Sequence, residues 1–427
     1  MMKNSNYKQR IIDKKIGNYL RITKAILITG TKWCGKTWTS LYHANSSVSL
    51  MNKKDFELAS IDPNYILKEN YPQLIDEWQV VPEIWDAVRN KCDEDGVNGK
   101  YILTSSTTLK ENEKNIIKHS GIGRIITINM FPMTLFEQGE SSDKVSLMDL
   151  KNNNVNFDVC EEKTIIDYAN YIIKGGFPGN TETPKELARE LPKAYINSVC
   201  NEDVFERKTH YKNPRKLRVL LSALARNECS VTNNNKIISD INENSNDNNT
   251  IKSVKTLESY IDYLDSIYLL WYQNAFSCNY RSKNRIGIKA KRHFVDVSLA
   301  ASALNLTQEK LLNDFNTFGF LFESLVERDL KVFMDYYGGE LMHFRDNLSG
   351  DEVDAICEFD DGEFGAIEIK LSSYRIEEAI ESLTKFYDKV EKKPKFMCVI
   401  VGEYGVIHQD KKTGIYIIPF SALGLHE

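Results

Sequence analysis

The sequence predicts an α/β chain of two to three domains, and three stretches carry that reading. The apolar run Ala25-Ile26-Leu27-Ile28 leads into Gly30-Thr31-Lys32-Trp33-Cys34-Gly35-Lys36-Thr37, and the following stretch to Ser47 holds no Gly or Pro. Up to residue 138, short apolar runs alternate with helical stretches, the pattern of a parallel sheet with helices on both faces. From Phe318 the order becomes helix, three strands, helix, strand. At 427 residues the chain is too long for a single hydrophobic core.

The first stretch is a strand, a G-x-x-x-x-G-K-[ST] turn and a helix, which is a phosphate-binding loop. Its glycines let backbone N–H groups curl around a phosphate, and the helix N-terminus adds a positive dipole end. Residues Gly30, Thr31, Lys32, Trp33, Cys34, Gly35, Lys36 and Thr37 are therefore the candidate nucleotide contacts. Lys36 would reach the β- and γ-phosphate oxygens, and Thr37 would place its hydroxyl on Mg²⁺.

Val48-Ser49-Leu50-Met51 reads as a second strand. Leu74-Ile75 then ends in Asp76-Glu77, just before a helix that begins near Val81-Pro82-Glu83. An acid at such a strand end can hold the Mg²⁺ shell, and the following Glu can polarise the attacking water. The ordinary alternative is a pair of solvated loop charges. A third strand, Lys100 to Ser106, ends in hydroxyls, with Thr104 the candidate sensor of a γ-phosphate and a helix-capping turn the alternative. A fourth, Ile125 to Ile128, follows Gly123-Arg124 and leads to Phe131-Pro132-Met133-Thr134-Leu135-Phe136-Glu137.

Phosphate loop, Leu-Ile-Asp-Glu-x-Gln, Ile-Leu-Thr-x-Ser, Gly-Arg and Phe-Pro-x-x-x-x-Glu occur in that order. The succession resembles the AAA-superfamily P-loop ATPases of bacteria and archaea. More narrowly, it is similar to the group that carries a family-specific C-terminal domain of uncharacterised function. The resemblance covers residues 20–138, with one departure at Ser105, where the family usually has Gly. It implies a P-loop NTPase parallel sheet, ATP and Mg²⁺ as ligands, and hydrolysis carried by Lys36 and Glu77. It also implies a nucleotide role for Arg124, as a charge stabiliser supplied to a neighbour's site in a homo-oligomer. A surface salt bridge is the alternative for Arg124.

Gly139 to Lys163 is polar and reads as a linker or surface excursion. Lys174-Gly175-Gly176-Phe177-Pro178-Gly179 resembles the turn that joins the two halves of that family. Leu191–Val204 and Leu217–Ala225 carry apolar residues at helical spacing. Leu217 to Tyr272 resembles a winged helix-turn-helix, with helices Leu217–Arg226, Lys236–Ile241 and Val254–Leu270. Against DNA reading stand the long Asn-rich run Asn242–Thr250 and a third helix bearing Glu258, Asp262 and Asp265 against Lys255. A packing role is the stronger expectation. Arg281-Ser282-Lys283-Asn284-Arg285, with Lys289, Lys291 and Arg292, is the better candidate for phosphate contact, a solvated loop being the alternative.

Arg292-His293-Phe294-Val295-Asp296 looks like the Lys-x-x-x-Phe-x-Asp strand of the same family. The succession from Gly319 (helix to Tyr337, strands Leu341–Arg345, Glu352–Glu358 and Glu363–Lys370, helix Ile376–Val390, strand Phe396–Val401) resembles the PD-(D/E)XK restriction-endonuclease-like core. Period-2 alternation puts Glu368 and Lys370 on one face of their strand, with Asp354 on the strand before. Two carboxylates meeting across neighbouring strands can hold Mg²⁺, and a lysine beside them can activate water or steady a phosphate. Glu323, on the first helix, is the extra acid such folds often use. An amphipathic strand with a solvated charged face is the plain alternative.

Apolar content of 42%, charged content of 27% and a net charge of −5 describe an ordinary globular chain, so any nucleic-acid surface must be local. No run of 18 apolar residues or signal-peptide pattern occurs, and none of the eight cysteines (34, 92, 160, 200, 229, 278, 357, 398) forms C-x-x-C. Reduced thiols in a cytoplasmic protein, without membrane span, disulfide framework or zinc site, are the expectation. The expected domains are the ATPase at 1–138, a helical/winged-helix-like middle domain at 139–285, and a restriction-endonuclease-like α/β domain at 286–427. The function expected is ATP binding and hydrolysis that controls a nuclease-like module acting on or near DNA. The alternative is an ATP-gated interaction or DNA-binding regulatory protein whose nuclease-like domain is inactive.

Overall fold

The computed structural model describes residues 7–425 apart from 69, 95, 110, 202–212, 244–250, 278–288 and 347–348. The chain forms two compact units, Met1–Pro132 with Tyr263–Leu269, and Met133–Asp262 with Leu270–Glu427.

The first unit is built on a five-stranded parallel sheet: β1 (Ala25–Thr29), β2 (Ser46–Ser49), β3 (Gln73–Asp76), β4 (Tyr101–Ser105) and β5 (Ile125–Asn129), in the order β2-β3-β4-β1-β5. All of β1 is buried because helices cover both faces, which is why it reads as an unbroken apolar run. Its side chains alternate between two cores. Ile26 and Ile28 join Ile16, Cys34, Leu74 and Ile102 on one face. Ala25 and Leu27 join Val48, Ile75, Ile84, Val88 and Leu103 on the other. Helices Ile12–Ile22 and Lys36–His43 lie on the first face; Lys53–Ile61 and Ile84–Glu94 lie on the second.

The second unit centres on a nine-stranded mixed sheet. Its strands are β7 (Asp158–Val159), β8 (Leu270–Ala275), β9 (Lys291–Phe294), β10 (Glu340–Arg345), β11 (Glu352–Glu358), β12 (Phe364–Ser372), β13 (Phe396–Glu403), β14 (Val406–Gln409) and β15 (Tyr416–Pro419). They run in the order β7-β14-β15-β13-β12-β11-β10-β8-β9. Two further strands, β6 (Val145–Ser146) and β16 (Leu423–Gly424), pair with each other. Helix Ile376–Lys389 packs Ala379, Leu383 and Phe386 against Val353, Phe364, Ala366 and Val399. Helix Phe315–Tyr337 packs on β10, β11 and β12.

The helix, three strands, helix, strand order expected after Phe318 is present. Strands from both sides of residue 285 share the large sheet, so the structure draws no border there. The three middle helices form at Pro214–Arg226, Asn234–Glu243 and Val254–Ser266. The hairpin that would be their wing, β8–β9, is not free: β8 also pairs with β10. Arg281–Arg285 and most of Asn242–Thr250 lie outside the described residues. Among the described residues no helix is long and apolar enough to cross a membrane.

A buried charge knot ties the second unit together. Arg328 donates from Nη1 to Asp296 Oδ2 and from Nε to Asp329 Oδ1, both at 2.8 Å. Asp329 Oδ2 accepts from the Leu135 N–H, and Asp296 Oδ2 from the Gly176 N–H. The Gly175-Gly176 pair is required here. A Cβ at Gly176 would sit 2.1 Å from the Met133 carbonyl oxygen, and Gly175 has φ +71°. Replacing Arg328 by Leu strands two buried carboxylates. The expected cost is about 3–5 kcal/mol of unfolding free energy, read by urea denaturation of the full chain.

Candidate functional site

The phosphate loop starts where β1 ends. Gly30 must be glycine, because a Cβ there would lie 2.3 Å from the Met130 carbonyl oxygen. Gly35, at φ 104°, turns the chain into helix Lys36–His43. The Lys36 ammonium lies across the loop and donates to the Gly30 and Thr31 carbonyl oxygens, both at 2.8 Å. Phosphate oxygens entering the loop would compete for that ammonium.

Asp76 ends β3, which is separated from β1 by β4. The strand between supplies the link. Thr37 Oγ1 and Thr104 Oγ1 both donate to Asp76 Oδ1, at 2.9 and 2.7 Å. Burial raises the Asp76 pKa, while the Thr104 and Thr37 hydrogen bonds and the Lys36 charge oppose that rise. A hydroxyl and a carboxylate converging at a helix N-terminus are hard oxygen donors that fit Mg²⁺.

Glu77 follows in the left-handed region, at φ 57° and ψ 48°. Its N–H donates to Thr104 Oγ1, and its Oε2 accepts from Ser106 Oγ at 2.7 Å and Gln79 Nε2 at 2.5 Å. Thr104 therefore touches both acids. Ser105, where the resembling family has Gly, directs its hydroxyl to the Thr107 carbonyl oxygen.

Arg124 is not brought to this group. It precedes β5 at the opposite end of the sheet from the loop and pairs with Asp93 at 3.0 Å. A role in its own chain's site does not fit that position. Sequence reasoning also passed over Arg10, whose buried guanidinium donates to the carbonyl oxygens of Cys34, inside the loop, and Phe131. Nothing local to Arg10 in the sequence signals this, since both partners are distant main-chain atoms.

In the second unit, Asp354 on β11 and Glu368 and Lys370 on β12 do meet. Lys370 Nζ lies 2.6 Å from Glu368 Oε2 and 3.5 Å from Asp354 Oδ2. The Ile369 N–H donates to Asp354 Oδ2, and Ser382 Oγ to Glu368 Oε1. Burial and the neighbouring Asp354 charge push the Glu368 carboxyl up to about 8. For Asp354 burial acts the same way, but Lys370 and Lys291 outweigh it and hold the carboxyl low. The three groups open into a hollow of about 350 Å³ whose lining carries six carboxylates and two lysines.

Glu323 is hydrogen-bonded by Lys291 rather than by that trio, although the Asp354 charge reaches it. Its Oε1 accepts from Lys291 Nζ at 2.8 Å, and the same ammonium reaches Glu327 Oε1 at 3.0 Å and the Asp354 carbonyl oxygen at 3.4 Å. Lys291 is thus buried and ion-paired. This corrects its placement in a phosphate-facing basic patch, because its charge is committed to carboxylates inside the fold.

Residues 23–138 match the family described as an AAA domain. Residues 165–310 and 318–423 match two families each described as a domain of unknown function, DUF8612 and DUF4143. No curated protein matches the chain. Among solved structures, the chain is similar to a Walker-type ATPase of Pyrococcus abyssi, with 12% identity, TM-score 0.42, and 71% of this chain and 99% of that one covered. It is also similar to the Aeropyrum pernix ORC2 protein (13%, TM-score 0.34, 73% and 98% covered) and to the Thermotoga maritima RuvB branch migration motor (14%, TM-score 0.26, 66% and 90% covered). TM-scores this low carry nothing about what the present chain does. With its loop, the Asp-Glu strand end and the family match, the N-terminal segment is an AAA-type P-loop ATPase domain.

Thr104→Val leaves Asp76 Oδ1 with one hydroxyl and the Glu77 N–H without its acceptor. ATP turnover is expected to fall roughly tenfold or more, with ATP binding changed far less, as read by phosphate release alongside equilibrium dialysis.

Proposed function

We propose that the chain binds and hydrolyses Mg²⁺-ATP and that its nucleotide state controls a nuclease-like C-terminal module acting on DNA. The observation that carries the first half is the convergence of Thr37 and Thr104 on Asp76 beside the Lys36 loop. In this reading Lys36 neutralises phosphate charge, and Thr37 and Asp76 hold Mg²⁺. Glu77, steadied by Ser106 and Gln79, orients the attacking water and accepts its proton. Thr104, bonded to the Asp76 carboxylate and to the Glu77 main-chain N–H, lets a change at the γ-phosphate reach both residues. Bound there, Mg²⁺ would stabilise charge on the phosphate oxygens.

The second half rests on Asp354, Glu368 and Lys370. Asp354 and Glu368 would hold Mg²⁺, while Lys370 stands where it can steady a scissile phosphate or activate water. Glu323 would act through Lys291 rather than as a direct ligand. Asp351, Glu352, Glu378 and Glu381 around the hollow are ion-paired with Lys389, Arg345, Arg375 and Lys385, so Asp354 and Glu368 are the acids left beside Lys370 to take Mg²⁺, and cleavage would need that ion. That Lys370 is already committed to both Asp354 and Glu368 favours the second reading, a catalytically inactive fold used for ATP-gated docking.

Lys36→Ala is expected to abolish ATP binding and Glu77→Gln to keep binding while losing turnover; unimpaired hydrolysis in Lys36→Ala would sink the ATPase assignment. For the module, wild type is assayed on linear and supercoiled DNA with Mg²⁺ under ATP, ADP and no nucleotide. Cleavage that varies with nucleotide and vanishes in the Asp354→Ala, Glu368→Ala double variant supports a nuclease. Absence of cleavage in wild type, or survival in the double variant, leaves the docking reading.

Arg124 would serve a neighbouring chain's nucleotide in a homo-oligomer. Mixing inactive Arg124→Ala and Lys36→Ala chains should restore part of the ATPase activity if it acts across an interface. Unchanged activity in Arg124→Ala alone reduces it to its surface pair with Asp93.

A further inference from the structure

A second cluster of ligating atoms lies inside the second unit, and neither half of the proposed function uses it. Glu228 and Cys229 follow helix Pro214–Arg226, His293 lies on β9, and Glu327 on helix Phe315–Tyr337. All four side chains are buried; His293 and Glu327 are fully inaccessible. His293 Nδ1 is 3.3 Å from Glu228 Oε1, 3.6 Å from Glu327 Oε2 and 3.9 Å from Cys229 Sγ. Cys229 Sγ is 3.3 Å from Glu327 Oε2.

Hydrogen bonding around the cluster sets what each atom offers. Gln273 Nε2 donates to the Met342 and Asp354 carbonyl oxygens at 2.9 and 3.0 Å, which fixes its amide so that Oε1 faces His293 Nε2 at 3.2 Å. Oε1 can only accept, so His293 carries its proton on Nε2 and turns the Nδ1 lone pair into the cluster. Glu327 gives Oε1 to Lys291, which leaves Oε2 facing the sulfur and the imidazole. Glu228 Oε1 is anchored by Ser324 Oγ at 2.9 Å and the Phe294 N–H at 3.2 Å. The Nδ1 lone pair of His293, the Cys229 sulfur and one oxygen each of Glu228 and Glu327 therefore face one another, with Glu228, Cys229 and His293 offering ligand atoms that all lie within 4.8 Å.

We propose that Cys229, His293, Glu228 and Glu327 form a buried four-ligand transition-metal site, and that its cation is Zn²⁺. In tetrahedral zinc sites, Zn–S of about 2.3 Å and Zn–N and Zn–O of about 2.0–2.2 Å imply ligand–ligand edges of roughly 3.3–3.6 Å. Of the six edges of such a set, three lie at 3.3–3.6 Å, the Cys229–His293 edge is 3.9 Å, and Glu228 and Cys229 are within 4.8 Å, so binding would draw the ligands inward. A thiolate with an imidazole excludes Mg²⁺ and Ca²⁺, which take oxygen, and suits the borderline-soft zinc ion. The His293–Gln273 bond is the outer support that a zinc-bound histidine requires. Without a cation, burial pushes Glu228 up to about 8 and Glu327 to about 7, and it raises the Cys229 thiol well above its usual range. A bound dication reverses that cost and holds the sulfur as thiolate.

Four protein ligands and full burial make the site a staple rather than a catalyst. It joins the turn after helix Pro214–Arg226 to β9 and to helix Phe315–Tyr337, and so fixes Lys291 and Glu323 beside Asp354. The expectation of no zinc site came from the lack of C-x-x-C. The ligands here are 64 and 98 residues from Cys229, which no local spacing rule detects. This proposal does not depend on whether the Asp354 site cleaves DNA.

Full-length chain is produced with zinc supplementation, gel-filtered under reducing conditions and assayed for metal by mass spectrometry. A second sample is prepared with Co²⁺ for absorption spectroscopy. Expected are about one zinc per chain and a thiolate-to-cobalt charge-transfer band with the intense visible bands of a tetrahedral site. Both should be lost in Cys229→Ser, which conserves volume, and kept in Cys357→Ser. Should Cys229→Ser not fold, the wild-type cobalt spectrum alone decides. Folded wild type with no bound zinc, a cobalt spectrum without thiolate ligation, or equal zinc in Cys229→Ser overturns the site and leaves a proton-sharing cluster.

Discussion

The second unit depends on how one buried ammonium is neutralised. Lys291 is almost inaccessible, and such a cation persists inside a fold only when carboxylates and carbonyl oxygens surround it. Glu323, Glu327 and the Asp354 carbonyl oxygen do this from helix Phe315–Tyr337 and strand β11. Meeting that demand fixes β9 against the long helix and sets the distance between two groups of acids. On one side lie Asp354, Glu368 and Lys370; on the other lie Glu228, Cys229 and His293. The Arg328 knot applies the same rule further along the helix, with Asp296 and Asp329 closing around a guanidinium.

In the first unit the governing constraint is apolar rather than ionic. The inner strands of a parallel sheet covered on both faces are buried throughout, and its polar chemistry gathers at the strand ends. Thr29, Asp76 and Ser105 close β1, β3 and β4, and the phosphate loop and both acids gather at that edge. Thr104 does what neither β1 nor β3 can do alone. It sits on the strand between them, donating to the Asp76 carboxylate and accepting from the Glu77 main-chain N–H.

Much of this was legible in the sequence because the signals are local. Continuous apolar runs marked β1, β4 and β5, and glycines at fixed offsets marked the loop, since only glycine fits against Met130 and the turn into the helix. Period-2 alternation placed Glu368 and Lys370 on one face, and they meet Asp354 across the neighbouring strand. The short strands β6, β7 and β14 went unseen, because two residues carry no periodicity and Val406–Gln409 is a brief run without alternation. Arg10 carried no signal and Lys291 read as a candidate phosphate contact, yet both are buried by partners distant in sequence. A lone cysteine and a lone histidine gave no sign of each other for the same reason.

The two acid groups of the second unit are not independent. Lys291 takes Glu327 Oε1 while Oε2 of the same carboxylate faces Cys229 and His293, and its ammonium also reaches the main chain of Asp354. Charge added at the cysteine cluster therefore changes how much of Lys291 is left to balance Glu323 and Asp354, through contacts of about 3 Å in a dry interior where screening is weak. A dication there would draw Glu327 toward itself and leave Lys291 more strongly committed to Glu323. Glu323, the acid that looked like a direct ligand by its place on the first helix, is in this arrangement the counter-charge that keeps Lys291 beside the Asp354 backbone. A cation at the cysteine cluster would then bear on Asp354 through Lys291 and Glu327, without touching the Asp354, Glu368 or Lys370 side chains.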